Sequence, residues 1–351
     1  MDFTNTQFLL DVIKEVPVEQ AWLRDRYFPT DGATDIFNTT KVLVEYMDAE
    51  QKKLAPFVTP RKNGVDIMRG GYEVHEFEPG NIAPKRSLYI DELQKKGFGE
   101  ALFSNLSPEQ RQAAIFMKDY QEIDQMITRR EEAMAAELLT TNKLTMNHIA
   151  DKDDEYMTVE VKFYEGGTNP AVYTPANTWT TSTNVFSELH AIIRMLTQRG
   201  LPATDCIVGA DVADLLMRNT VIKEYLDNRR FELGYINPVE LPPYVALLTT
   251  LNVFGHKLSI YTYDNTYVND SGTVVPYINP KQIIVTAPKC GHTAYGCVTQ
   301  LEGGQFRSYA GRRVPHYVAN EAENTRSVTI TSKPLMMPRV KNPFVVSTVL
   351  A

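Results

Sequence analysis

The stretch SPEQRQAAIFMKDYQEIDQMITRREEAMAAELLT, residues 107–140, carries the clearest local signal in the chain. Ser107 suits an N-cap, Pro108 suits the first helical position, and Gln110 sits at capping-box spacing from Ser107. Phe116, Tyr120, Ile123, Ile127, Met134 and Leu138 follow at spacings of four, three, four, seven and four, an apolar stripe on one helix face. Lys118, Asp124, Arg129, Arg130, Glu131 and Glu132 are expected to supply the solvated remainder. At 1.5 Å per residue such a helix runs about 50 Å, well beyond the usual three to four turns. One long helix with a single apolar stripe is a beam laid across a sheet. Too few heptads are sustained for a coiled coil.

Towards the N-terminus, Lys41 to Tyr46 reads as a strand. Val65–Arg69 and Tyr72–Phe77 are two strand-like runs separated by Gly70-Gly71, the signal of a tight hairpin turn, because glycine takes positive φ without steric cost. Pro56, Pro60, Pro79 and Pro84 flank this segment and oppose a place in a central sheet. Residues 51–96 hold nine Lys/Arg and six Asp/Glu, so the net charge of −7 divides into +3 here and −10 elsewhere. A basic, proline-bounded hairpin has little core of its own and is expected to cover another surface. Further out, Leu9, Leu10, Val12, Ile13 and Val16 could line a short helix, before Pro17 and the Phe28-to-Gly32 turn interrupt the arm.

Towards the C-terminus, Met157 to Tyr164 alternates as a strand, and 165–184, rich in Gly, Thr, Asn and Pro, marks a domain boundary. Residues 185–200 read as an amphipathic helix ending at Gly200, and 205–209 as a buried strand. Two further helices are expected at 211–218 and 221–230. Strands are expected at 258–263, 282–286 and 292–299. Together they describe an α+β unit with helices flanking an open sheet. The tail from Ser327 alternates like strands, punctuated by Pro334, Pro338 and Pro343.

Composition narrows the function classes. With 351 residues, 43% hydrophobic and 10% aromatic, the chain can bury a sizeable core. The longest apolar runs are far too short for a bilayer, and the first residues lack the basic start and apolar stretch of a secretory signal. Three cysteines do not make a disulfide framework, so synthesis in a reducing cytoplasm is expected. An acidic chain is not a general nucleic-acid binder.

No phosphate-cradling or dinucleotide glycine motif is present. Cys290, His292 and Cys297 could form part of a metal site, but a tetrahedral zinc needs a fourth ligand and tighter cysteine spacing. Buried apolar thiols are the preferred reading, for Cys206 as well. His148, His190, His256 and His316 have no nucleophile and orienting acid beside them in the sequence, and residues 151–155 lack a calcium loop's glycine and spacing. No catalytic, cofactor-binding or metal-binding residue is therefore expected. Basic pairs such as Arg229-Arg230 and Arg312-Arg313 lack interleaved aromatics for base stacking, and fit salt bridges between subunits at least as well as phosphate contacts.

The order of arm, basic hairpin, spine helix, α+β unit and strand-rich tail resembles the lambda-like major capsid proteins of tailed bacteriophages, the E family. Arg69-Gly70-Gly71, Glu76-Phe77, Pro79-Gly80 and Pro84-Lys85 are similar to the family's pattern around its extended loop. Gly166-Gly167-Thr168, Trp179, Leu226-Asp227 with Arg229-Arg230, Tyr295-Gly296-Cys297, Pro334-Leu335-Met336, Phe344-Val345 and Leu350-Ala351 follow in family order. The resemblance implies a Hong Kong 97-type α+β fold. Its parts would be an arm and first strand (1–50), an extended loop (51–96), a peripheral domain (97–184) with the spine helix, an axial domain (185–310), and C-terminal strands (311–351) returning to the peripheral domain.

It also implies a virion shell protein rather than an enzyme, assembled in the bacterial cytoplasm as hexamers and pentamers around double-stranded DNA. Portal, a separate scaffold and a possible decoration protein would be its partners, and no membrane. Arg69, Gly70, Gly71, Glu76, Phe77, Lys85, Arg86, Arg229 and Arg230 are the expected intersubunit contacts. The alternatives are a cellular encapsulin-like shell and, more distantly, a metal-dependent enzyme using Cys290, His292 and Cys297.

Overall fold

A computed structural model describes residues 21–32, 34–39, 41–47, 72–89, 108–149, 156–227, 241–302, 304–320 and 325–351. The helices are α1 (Trp22–Tyr27), α2 (Pro108–Thr141), α3 (Val185–Gln198), α4 (Ala210–Arg218) and α5 (Thr220–Asp227). The strands begin with β1 (Val42–Met47), β2 (Tyr72–Phe77), β3 (Lys85–Tyr89), β4 (Lys143–Ile149), β5 (Tyr156–Lys162) and β6 (Asp205–Val208). They continue with β7 (Val245–Val253), β8 (His256–Tyr263), β9 (Thr266–Val268), β10 (Val274–Pro276), β11 (Gln282–Thr286) and β12 (Gly291–Tyr295). The last are β13 (Val298–Glu302), β14 (Gln305–Tyr309), β15 (Val314–Asn320), β16 (Thr325–Thr331), β17 (Pro334–Pro338) and β18 (Val345–Thr348).

Five strands in the order β18-β11-β6-β8-β7 form the central sheet, antiparallel except for the β6–β8 pair. Its inner strands β6 and β11 are buried on both faces, as their place between two layers demands. Cys206, Val208, Ile283, Val285 and Val345 face one layer, while Ile207, Ile284 and Val346 face the other. The first layer is α3, α4 and α5, packed through Leu189, Ile192, Ile193, Leu196, Val212 and Leu216. Helix α3 opens on Asn184, whose side chain accepts the Ser187 N–H, and it stops at Gly200. There the Gly200 and Leu201 amides bond back to Thr197 and Leu196, a closure that the left-handed φ of 83° at Gly200 permits.

The second layer is α1 and the C-terminal half of α2. The N-terminal half of α2 lies on another sheet, β15-β16-β3, where Phe116, Tyr120, Ile123 and Ile127 meet Val328 and Ile330. One helix thus joins two sheets, which explains its length. It ends at Asn142, whose left-handed φ of 56° lets its amide close on the Leu138 carbonyl.

Several expectations need correction. Glu131 and Glu132 are buried on α2, and Asp124 is nearly so, none of them on a solvated face. The run 292–299 is two strands, β12 and β13, broken at Gly296-Cys297, and β12 pairs with β17 in the α1–α2 core. The helix-flanked unit that begins at 185 therefore gives way to the other core near residue 290, short of 310. The tail does not return as one piece to the spine-helix side: β16 and β17 do, but β18 completes the central sheet beside β11. The boundary segment also follows this tail, with Tyr173 and Trp179 amides bonded to the Val346 and Val349 carbonyls. The β4–β5 pair adds a strand at 143–149 to those expected from the sequence.

Candidate functional site

The strongest polar constellation is built where α1 crosses α2. Alanine at position 21 offers α1 no side-chain cap, so the helix's first amides need acceptors from elsewhere. Glu132 supplies both. Its two carboxylate oxygens accept the Leu23 and Arg24 N–H groups at 2.9 and 3.0 Å, and the Tyr263 hydroxyl donates to it at 2.8 Å. Burial pushes the Glu132 carboxyl above its ordinary pKa, against the pull of those donors.

One residue earlier, Glu131 is 0% exposed and lies between two arginines. Arg24 Nη1 reaches it at 2.6 Å, and Arg313 donates to both oxygens at 2.7 and 3.0 Å. The Tyr295 hydroxyl adds a bond of 3.0 Å, and Arg313 also donates to Asp124 at 2.7 Å. Burial alone would raise the Glu131 pKa, but Arg313 and then Arg24 overcome it and bring it down to about 2. Burial likewise works against the charge on Arg24 and Arg313, and Glu131 holds both above the ordinary arginine value. On the other side of α1, Arg26 pairs with Asp205 of β6 at 2.7 Å, and Tyr27 donates to the same carboxylate at 3.1 Å. Residues 22–27 are therefore bolted to α2, to β6 and, through Tyr263, to β8.

This arrangement is a structural lock. Both carboxylates are spent on fixed donors, which leaves neither poised for proton transfer. Among the described residues, no three His, Cys, Asp or Glu side chains are placed to hold a metal ion. Cys206, Cys290 and Cys297 are buried thiols, and burial pushes the first two up to about 12. His292 sits 4.0 Å from Asp35, with burial lowering its pKa.

The residues expected to meet other subunits fall in three groups. Arg69, Gly70, Gly71, Arg229 and Arg230 lie outside the described residues, as does the Gly70-Gly71 hairpin turn. Glu76 stands opposite Leu43 in the β1–β2 pair, and the Phe77 ring packs on Phe163 of the same chain, centroids 5.6 Å apart. Lys85 and Arg86 stand on β3 opposite Thr329 and Val328. Arg86 pairs within the chain, with Asp119 and Glu122 of α2, and its side chain stays 43% exposed. Arg313, read as a surface pair with Arg312, is instead the centre of the buried cluster.

The lock was hidden in plain spacing. The apolar stripe of α2 skips from Ile127 to Met134, and the helical position it skips on that face is Glu131. A carboxylate on a buried stripe asks for a cation, but Arg24 and Arg313 stand 107 and 182 residues away in sequence.

A profile of the family described as Phage major capsid protein E matches residues 5–349. No curated protein sequence matches the chain significantly. Among solved structures, a protein described as a prophage capsid protein of E. coli CFT073 is similar at TM-score 0.68 and 16% identity, over 99% of each chain. A phage-related protein of Bordetella bronchiseptica RB50 is similar at TM-score 0.52 and 7% identity, covering 97% of this chain and 95% of its own.

Proposed function

Because the chain belongs to the phage major capsid protein E family, we propose that its copies close into hexamers and pentamers of an icosahedral shell around double-stranded DNA. It is a structural protein of the virion, with the Hong Kong 97-type α+β capsid fold. The observation that carries the reading is the extent of the family match, from the arm to beyond the last strand. Repeated head-to-tail contacts between identical copies generate closed rings when their rotation closes.

Within that shell, 51–96 serves as the extended loop over a neighbour, and 1–50 as arm and first strand. The α2 helix, β4–β5 and the β15-β16-β3 sheet form the peripheral unit. The central sheet with α3 to α5 forms the axial unit. Arg69, Gly70, Gly71, Glu76, Phe77, Lys85, Arg86, Arg229 and Arg230 contribute to contacts between copies, the basic loop steering onto acidic neighbours. Assembly takes place in the bacterial cytoplasm with a portal, a separate scaffold and, in some shells, a decoration protein. The inner wall meets DNA without sequence preference, and the chain performs no catalysis.

Electron microscopy of the expressed protein tests this directly: closed shells or capsid-like sheets are expected, and dispersed monomers at every concentration would overturn it. Nuclease-protected DNA in virion-derived particles is expected; packaged protein in its place would favour a cellular compartment. Arg69→Glu should abolish shells while leaving the circular dichroism of the folded chain unchanged, and normal particles would remove Arg69 from the contact.

A further inference from the structure

The hairpin joining β7 to β8 turns on two residues, Phe254 and Gly255. Both have positive φ, 47° and 92°. A tight primed turn requires that backbone and favours Asn-Gly in it. A phenylalanine here is misplaced twice over: a bulky side chain is strained in the left-handed region, and the ring is 67% exposed. Strain kept at a solvent-facing aromatic points to a ligand clamp. The ring lines a groove of about 530 Å³, the size of a small-molecule site. Phe186 at the start of α3, Val221, Glu224 and Tyr225 of α5, and Asn252 of β7 line the rest. The Phe186 and Tyr225 rings lie 4.6 Å apart between centroids, and the Phe254 ring is stacked on His190 at 4.6 Å. The Tyr225 hydroxyl donates to the Asn252 carbonyl at 3.4 Å, which ties α5 to the hairpin.

We infer that this groove binds a small organic ammonium ion carrying an apolar body. The lining identifies the charge of the ligand. Aromatic faces attract cations through their negative quadrupole, and three aromatic rings line the groove. Glu224 is the one charged side chain among the described lining residues, so no Lys or Arg competes for it there. It stands in the last turn of α5, where the helix dipole is negative. The start of α3 does not make the groove an anion site: Asn184 accepts the Ser187 N–H, and Glu188 lies in the first turn. An anionic ligand would meet the Glu224 carboxylate, and a neutral one would use the rings without the charge. The apolar body of the ligand packs on Phe186 and Val221, and its ammonium head meets Tyr225, Phe254 and Glu224. The inference does not depend on the reading of the chain as a shell subunit.

The test compares three probes of similar shape on the full chain by saturation-transfer NMR: phenethylammonium, 2-phenylethanol and 3-phenylpropionate. Phenethylammonium should bind about tenfold more tightly than the alcohol, and the carboxylate most weakly. Equal affinities, a preference for the carboxylate, or no binding of phenethylammonium would overturn the inference. Two variants assign the parts. Glu224→Gln should bring phenethylammonium down to the affinity of the alcohol and leave the alcohol unchanged, an outcome that a purely apolar groove would not give. Phe254→Asn installs the preferred Asn-Gly turn, so the melting temperature should hold or rise while phenethylammonium affinity falls roughly fivefold. Unchanged affinity in both variants would sink the proposal.

Discussion

The two faces of the central sheet are buried to similar depth and held by opposite chemistry. Towards α3 and α4 the contact is hydrocarbon: Ile192, Ile193, Leu196, Val208, Ile260 and Val285 interdigitate. Towards α1 and α2 the hydrocarbon is interrupted at the sheet by Glu132 and Asp205 and, between α1, α2 and β12, by Glu131 with Arg24 and Arg313, each paired. Dispersion and burial are non-directional, so the first face loses stability in proportion to the atoms removed. Buried charges are another matter. Intact, they offset a large desolvation cost; with one member missing, the others are stranded. The helical face tolerates graded change, and the ionic face fails abruptly while fixing where α1 must sit.

Glu131→Gln is the severest way to try that contrast. It leaves Arg24 and Arg313 buried without their shared carboxylate and should cost ~3–5 kcal/mol, read by urea unfolding. Ile192→Ala on the other face should cost ~2–4 kcal/mol, set by the cavity left behind. If the glutamine variant proves the milder of the two, the distinction between the faces collapses. Acidity sharpens it further. The Glu131 pKa falls from 4.5 to about 2 on folding, so its contribution is complete above about pH 4.5 and drains away as pH drops towards 2. Glu132 has the opposite sign, its raised pKa making the folded state more tolerant of mild acid. Acid titration of Glu131→Gln should therefore show a shallower loss of stability between pH 4.5 and 2 than the parent chain.

Smaller effects probe the edges of the lock. Glu132→Gln keeps one acceptor oxygen for the amides of α1 and should cost ~1–2 kcal/mol, with hydrogen exchange accelerating first at Leu23 and Arg24. Arg86→Ala removes two ion pairs that are largely solvated and should change stability by less than ~1 kcal/mol. A larger loss there would mean that the β3–α2 contact belongs with the buried cluster rather than the surface.

The same contrast explains what the sequence discloses. Helix α2 and strands β2 and β11 are legible because cap chemistry and apolar period are local, and the observed limits Pro108–Thr141, Tyr72–Phe77 and Gln282–Thr286 follow them closely. The hydrocarbon face of α3 is legible for the same reason. The lock is not. Glutamate and arginine are ordinary surface residues until tertiary structure brings them together, and only the seven-residue gap at Glu131 hints otherwise. Strand β4 is not expected because its short alternation, Leu144 and Met146 inward, follows directly on the helix pattern of α2, and its place is decided by pairing with β5. The segment 292–299 reads as one strand because both halves alternate, whereas different partners, β17 and β14, pull them apart.

Strand β18 has a consequence in time. It forms one border of the central sheet through residues 345–348, and Phe344 beside it is fully buried. On a ribosome that sheet stays open along β11 until those residues emerge, so folding is finished only when synthesis has passed them. A prematurely terminated product would lack the border strand and expose β11. Such a fragment would leave the β11 edge unpaired and open to pairing with another chain.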